Sequence, residues 1–235
     1  MSDKPLVKVF CTPVRHCAVS DVDYFDRDKW NSLRKQSDRN RSATASILRR
    51  YVLETMGANK TTLHRYCAGC GSKEHGLVYA RESDGTYWMV TTSHAHNVVL
   101  VSAVPVGYQG IKGIGVDVEC IERIDERIKY LICTKKEISN IEKGRLVISD
   151  IWVAKESILK SIGYGLHISP KCIDLASKEN GEHWIHGKLQ STSLMPHGAL
   201  IRLDNFNFQE DTKMIGACYV NGLENVNVSL ESVIF

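Results

Sequence analysis

No stretch of the 235-residue sequence approaches the roughly 18 continuous apolar residues of a membrane-spanning helix, so no membrane partner is expected. Met1-Ser2-Asp3-Lys4-Pro5 lacks the basic start and apolar run of a secretory leader, and the eight cysteines fall at scattered spacings. Reduced thiols in the cytoplasm are therefore expected rather than a disulfide framework. Strong charge of one sign is missing too: a formal charge of +3 is too mild for a dedicated nucleic-acid binder, so no nucleic-acid partner is expected. No Ser-His-Asp arrangement for nucleophilic catalysis is apparent, and no residue-level repeat. With 43% hydrophobic residues, the chain can bury one large core or two modest ones.

Chemistry concentrates in two short stretches. In Gly115-Val116-Asp117-Val118-Glu119 the alternation predicts a strand, with Ile114, Val116 and Val118 on one face and Gly115, Asp117 and Glu119 on the other. Two carboxylates side by side repel unless a cation sits between them or one takes up a proton. A solvated acidic edge strand explains this pair, taken alone, at least as well as a metal site.

The second stretch, Trp152 to Lys160, reads as a helix. At about 100° per residue, Ile151, Ala154, Ile158 and Ile162 form an apolar stripe with Leu159 at its margin. Trp152, Glu156 and Lys160 form the neighbouring stripe, and Lys155 falls inside the apolar one. An ammonium held against a core needs a partner or must snorkel to water. A phosphate is one candidate partner. An ordinary amphipathic helix with a Glu156–Lys160 pair is the plainer reading, but it leaves Lys155 unexplained.

Gly-Val-Asp-Val-Glu followed by Trp-x-x-Lys-Glu-Ser-x-x-x-Lys resembles the paired signatures of the 4'-phosphopantetheinyl transferase superfamily. Thr134-Lys135-Lys136-Glu137 is similar to the Ser/Thr-x-x-Glu step between them, and Thr91-Thr92-Ser93-His94 resembles the upstream Ser-x-Ser-His element. The resemblance implies that Asp117, Glu119 and Glu156 hold Mg2+, with Mn2+ an alternative, on the pyrophosphate of coenzyme A. It implies that Ser93, His94, Lys155 and Lys160 steady the phosphate oxygens and the leaving group. Glu156, directly or through water, is the candidate general base. The nucleophile belongs to the partner: a serine of an apo acyl or peptidyl carrier protein receives the 4'-phosphopantetheine arm, and 3',5'-ADP leaves.

Eight basic residues between Arg27 and Arg50 face two acidic ones, which in isolation reads as a solvated helix face. By resemblance this region binds the 3'-phosphate of coenzyme A. Asp38-Arg39-Asn40-Arg41-Ser42 matches Asp-x-x-Arg-Ser/Thr and assigns Arg41 and Ser42, together with Lys29. A second family lysine falls near Asp26, where Arg27 is the candidate substitute. His64, Cys67, Cys70 and His75 are potential zinc ligands within twelve residues. Structural zinc sites usually join two separated ligand pairs, and no second pair follows, which argues against zinc. Some family members carry a similar loop before His-Gly-Lys-Pro at the adenine pocket. Here His75-Gly76-Leu77-Val78 lacks the lysine and proline, so adenine contacts around Gly76 should be backbone or apolar.

Strands are expected at Leu6–Cys11, Leu77–Ala80, Tyr87–Thr92 and Val98–Val104, with helices from about Asp26 and from Arg39 to Met56, where Ile47, Leu48, Tyr51, Val52 and Thr55 share a face. After a turn-rich connector at Pro105–Gly110, the strand Ile114–Glu119 leads to helices at Ile124–Ile132, Lys135–Glu142 and Asp150–Ile162. Strands at Ile173–Ala176, Trp184–Leu189, Ala199–Asn205 and Met214–Val220 follow. The expected fold class is α+β. By resemblance to the longer, Sfp-type branch, two similar lobes related by a pseudo-twofold axis each pack a small sheet on a long helix. Residues 1–108 form the coenzyme A side and 109–235 the metal and carrier-protein side, and the chain acts as a monomer. By resemblance the carrier protein docks at Cys120–Leu131, near Arg123, Arg127 and Lys129; core packing explains Ile121, Ile124, Ile128 and Leu131 equally well. Two alternatives remain: a non-catalytic coenzyme A or nucleotide-binding module, and a zinc-stabilised nucleic-acid-binding protein built on Cys67 and Cys70.

Overall fold

Alternation along the strands of a computed structural model, which describes residues 4–67, 69–176, 186–189, 198–204, 206 and 212–235, sets the layers of the molecule. The larger sheet holds β1 (Leu6–Pro13), β2 (Thr62–Tyr66), β3 (Leu77–Arg81), β4 (Tyr87–Ala95), β5 (Val98–Pro105) and β11 (Asn227–Ser232), in the order β11-β1-β5-β4-β3-β2. On β5, Val99, Val101 and Ala103 face one way, onto Ala45, Leu48, Val52 and Leu53 of helix α2 (Gln36–Thr55). Val98, Leu100 and Val104 face the other way, toward the second sheet. The core face of α2 is thus rotated from the one expected: Tyr51 stays 38% exposed and packs edge-on against Phe10 and Phe235.

The second sheet holds β6 (Gly113–Cys120), β9 (Gly198–Leu203) and β10 (Met214–Asn221), all antiparallel, in the order β6-β10-β9. Ile114, Val116 and Val118 of β6 join Cys218 and Val220 of β10 against Val7, Val9 and Leu100 of the larger sheet. Helix α5 (Ile148–Ile162) covers the outer face, where Val153 meets Ile215 and Ala217, and Ile151, Ile158 and Leu159 pack near Tyr219. The layers run helix, sheet, sheet, helix, a mixed α+β architecture.

Backbone approach is closest where β6 crosses α5. A Cβ on Gly115 would stand 1.9 Å from the carbonyl oxygen of Ser157, and one on Gly113 would stand 2.1 Å from that of Ser161. Only glycine admits this crossing, and it lays Asp117 and Glu119 of the same strand face beside Glu156 and Lys160.

Helix α4 (Lys135–Glu142) starts with a reciprocal capping box. Thr134 Oγ1 accepts from the Glu137 amide at 3.2 Å, and Glu137 Oε2 accepts from the Thr134 amide at 2.7 Å. Strands β7 (Ile173–Ala176) and β8 (His186–Leu189) pair antiparallel beside it. The expected limits at Trp184 and Asn205 lie outside the described residues.

Three expectations change. The helix expected over Ile124–Ile132 is broken into 3-10 turns at Ile121–Arg123 and Glu126–Ile128 and the single turn α3 (Lys129–Ile132). Asp125 causes the break, because its side chain accepts from the Arg127 amide at 2.9 Å and starts the chain afresh there. Strand β2 is not among the expected strands. The chain beyond Val220 returns to the first half, where β11 pairs parallel with β1 from Leu6↔Asn227 to Cys11↔Ser232. The division at residue 108 therefore does not separate the two sheets. Among the described residues, no helix is long and apolar enough to cross a membrane.

Candidate active site

Where β4, β6 and α5 meet, Asp117 is the hub. Its carboxylate Oδ1 accepts from Ser93 Oγ of β4 at 2.8 Å and from Lys160 Nζ of α5 at 2.6 Å, and Lys160 also donates to Ser93 Oγ at 3.0 Å. The Thr91 hydroxyl takes the Val116 amide at 3.1 Å, fixing β4 against β6 in the register that brings Ser93 opposite Asp117. Trp152, one turn before Glu156 on α5, donates its indole N–H to Glu119 at 3.2 Å and holds that carboxylate toward the cleft.

Charge is unbalanced at this point. Asp117 is 3% exposed, and its second oxygen, Oδ2, is buried without a hydrogen-bond partner among the described residues. Burial drives the Glu156 carboxyl up to about 7; Lys160 opposes the rise, and Asp117 and Glu119 add to it. Glu119 is also raised, by burial and by Asp117, against the Trp152 hydrogen bond and Lys160. Two carboxyls raised by burial and by the neighbouring acidic charge, beside an orphaned buried oxygen, suit a hard divalent cation, which takes oxygen ligands and would remove the repulsion.

The opposite wall is cationic. Lys29 from α1 (Tyr24–Ser32), Arg49 from α2 and Arg65 from β2 gather around Asp26, which pairs with Arg49 and lies 3.8 Å from Arg65. Arg65 also stacks on Phe25, its guanidinium carbon 4.7 Å from the ring centre. Three cations around one carboxylate leave a net positive surface. Burial, then repulsion from Arg65 and Arg49 against the pull of Asp26, lowers the Lys29 ammonium from its ordinary value. An arriving anion would be a ready partner.

Lys29, Ser42, Gly76, Ser93, His94, Asp117, Glu119, Glu156 and Lys160 all line one cleft of about 1150 Å³. Gly76 has φ +101°, and a Cβ there would stand 2.3 Å from the Tyr66 carbonyl oxygen, so the wall at this point is backbone. His94 keeps surface open to the cleft. Loss of hydration, followed by the charges of Lys29, Arg41 and Lys160, brings its imidazole down to about 4.

Three residues named from the sequence stand elsewhere. Lys155 is 0% exposed, with its ammonium 2.6 Å from Glu137 Oε2 and 2.8 Å from the carbonyl oxygen of Ile132. Its partner is a carboxylate of the fold, so it is not available to a phosphate. Arg41 pairs with Asp38 and donates to the His96 carbonyl oxygen at 3.2 Å; it lies outside the cleft wall and reaches His94 only through its charge. Arg27, the candidate substitute for a family lysine, donates to the Val22 carbonyl oxygen at 3.3 Å and does not line the cleft. Arg49, Arg65 and Lys73 are cleft residues that motif reading passed over. A signal existed for Arg49, since Ser42, Ala45 and Arg49 recur at helical spacing on one face of α2.

A carboxylate floor with a lysine faces a cationic wall across the cleft, a donor set whose chemistry suits a polyphosphate together with a divalent cation. Residues 113–214 match the family model described as 4'-phosphopantetheinyl transferase superfamily, a stretch that contains Asp117, Glu119, Glu156 and Lys160. The match supports a transferase of this general kind. No curated protein matches the chain.

Proposed function

We propose that the protein transfers the 4'-phosphopantetheine arm of coenzyme A to a serine of an apo acyl or peptidyl carrier protein, releasing 3',5'-ADP. The observation that carries this reading is the meeting of Asp117, Glu119, Glu156 and Lys160 with Ser93 and His94 on one side of a cleft whose other side holds Lys29, Arg49 and Arg65.

In this reading the cationic wall and Ser42 take the 3'-phosphate, and the Gly76 backbone with Leu77 and Val78 borders the adenine. Ser93, His94 and Lys160 hold the pyrophosphate oxygens, with Lys160 offsetting negative charge on the departing 3',5'-ADP. Asp117, Glu119 and Glu156 would hold Mg2+, which supplies charge neutralisation on the pyrophosphate when bound. Glu156 takes the proton of the acceptor hydroxyl as it attacks the phosphorus.

The carrier protein approaches along the broken segment after β6. There Tyr130 and Leu131 stand 60% and 71% exposed beside Lys129 and Arg123. Carrier proteins are acidic, and basic rim residues speed such encounters. Arg127 contributes less, because Asp125 already pairs with it. The Sfp-type branch, its pseudo-twofold relation of lobes and its monomeric state belong to the same reading, supported by a sheet packed on a long helix in each half.

The test is incubation with coenzyme A, Mg2+ and an apo carrier protein, followed by mass spectrometry. The acceptor should gain one phosphopantetheine group. Asp117→Ala and Glu156→Ala should lose turnover by a thousandfold or more while remaining folded; near-normal rates in either would overturn the assignment.

A further inference from the structure

The loop between β2 and β3 carries Cys67, Cys70 and His75, potential zinc ligands with no second ligand pair further along the sequence, so a zinc site there needs a ligand from elsewhere. Folding brings that ligand from the other half of the molecule: His167, at the end of the 3-10 turn Gly165–His167 that follows α5. One ligand atom from each of Cys67, Cys70, His75 and His167 lies within 4.8 Å of all the others. His64 of β2, the remaining sequence candidate, pairs with Tyr79 of β3 and stands outside this group.

One edge of the cluster has metal-site dimensions and a second is somewhat shorter than they require. Cys70 Sγ is 3.2 Å from His75 Nε2, and His75 Nε2 is 3.3 Å from His167 Nε2. A tetrahedral ion bound at about 2.3 Å to sulfur and about 2.05 Å to nitrogen has S–N edges near 3.6 Å and N–N edges near 3.3 Å. The loop itself is shaped around the first sulfur. The Cys67 carbonyl oxygen accepts from the Gly71 amide at 2.8 Å and the Cys67 amide donates to the Ser72 carbonyl oxygen at 2.9 Å, while the amides of Gly69 and Cys70 point at the Cys67 sulfur. All eight cysteines are free thiols, so no disulfide competes for these positions.

We propose that Cys67, Cys70, His75 and His167 bind one structural Zn2+, separate from the carboxylate site. Two sulfur and two imidazole ligands with no carboxylate suit zinc and not magnesium. On binding, both thiols give up their protons to solvent, and the two thiolates balance the charge of the ion. The ion ties the β2–β3 loop, which supplies Lys73, His75 and Gly76 to the cleft, to the turn that ends α5. It thereby holds the two sides of the cleft at a fixed separation.

The whole chain, purified without chelator, is analysed for metal by mass spectrometry and then exchanged with Co2+. One zinc per chain is expected, along with a cobalt spectrum showing tetrahedral bands and thiolate-to-cobalt charge transfer. Cys70→Ser and His167→Gln, both at exposed positions, should each lose stoichiometric zinc while keeping the native circular-dichroism spectrum. Should Cys70→Ser misfold, His167→Gln decides alone. Folded wild-type protein that stays metal-free after dialysis against micromolar Zn2+, as a plain hydrogen-bonded histidine pair would, overturns the proposal. Undiminished zinc in His167→Gln overturns it as well. These readouts use neither coenzyme A nor carrier protein, so they stand apart from the transferase reading.

Discussion

Lys155 and Lys160 lie five residues apart on one helix and meet opposite fates, because the helix turns one toward the interior and the other toward the cleft. Glu137 is 0% exposed and accepts from the Lys155 ammonium, the Thr134 amide and, at 2.8 Å, the Leu175 amide. Removing the lysine would strand a buried carboxylate, which costs about 3–5 kcal/mol. Lys155→Met should therefore lower the unfolding free energy by that amount, read as a lowered denaturant midpoint, with Lys155→Met/Glu137→Gln recovering part of it, while the folded fraction binds coenzyme A within about twofold of wild type. A selective loss of coenzyme A affinity at unchanged stability would instead restore the phosphate role. His94 gives a second test at this scale. Its imidazole is held at about 4, against an ordinary 6.5. Between those values the unfolded chain binds more protons than the folded one, so the stabilising contribution is full above 6.5 and fades as pH falls toward 4. Histidine NMR should find His94 neutral at pH 6 in the free protein, and 3',5'-ADP should move its midpoint upward, because a nearby phosphate favours the imidazolium. A midpoint that stays put with saturating 3',5'-ADP would remove His94 from the phosphate site.

At the scale of elements, the site depends on how closely β6 lies on α5. Gly115→Ala would press a methyl group into the Ser157 carbonyl, and overpacking of this kind costs about 1–3 kcal/mol or more. The variant should unfold several degrees lower and, under the proposed function, lose transfer activity through displaced carboxylates; an unchanged melting temperature would show that the crossing is looser than described. This element was open to sequence reading, because a strict two-residue alternation and a four-residue stripe each fix which side chains share a face. Asp117, Glu119, Glu156 and Lys160 could be grouped for that reason. The fate of Lys155 could not be read in the same way: periodicity placed it in the apolar stripe, but its partner, Glu137, comes from another helix. Arg65 and His167 share that limit, since strand pairing and the turn after α5 bring them to their neighbours. The expected helix over Ile124–Ile132 failed for a local reason, as Asp125 offered the backbone a cap that competes with helix continuation.

Over the whole molecule, two halves distinct in sequence prove interdependent in structure. Val7, Val9 and Leu100 are all 0% exposed, and they owe this to Val116, Val118, Cys218 and Val220 from the second sheet. The last strand strengthens the dependence. Val228 and Leu230 of β11 pack on the same core, and Val233 beyond it is buried under α2. The alternating Val228 and Leu230 were a readable strand signal, but nothing local indicates that a strand near the end of a chain pairs with the first one. A fragment spanning 1–108 would expose the whole inner face of its sheet and leave the β1 edge unpaired, a template for aggregation. Expressed alone, it should be insoluble or show no cooperative unfolding transition. A chain ending at Gly222 keeps the buried centre of the inter-sheet core but loses β11 with Val228 and Leu230; it should fold with a lowered melting temperature and with faster amide exchange concentrated in β1. Cooperative unfolding of the 1–108 fragment with native-like exchange protection would show the halves to be autonomous domains, and would place the cleft at a joint between them.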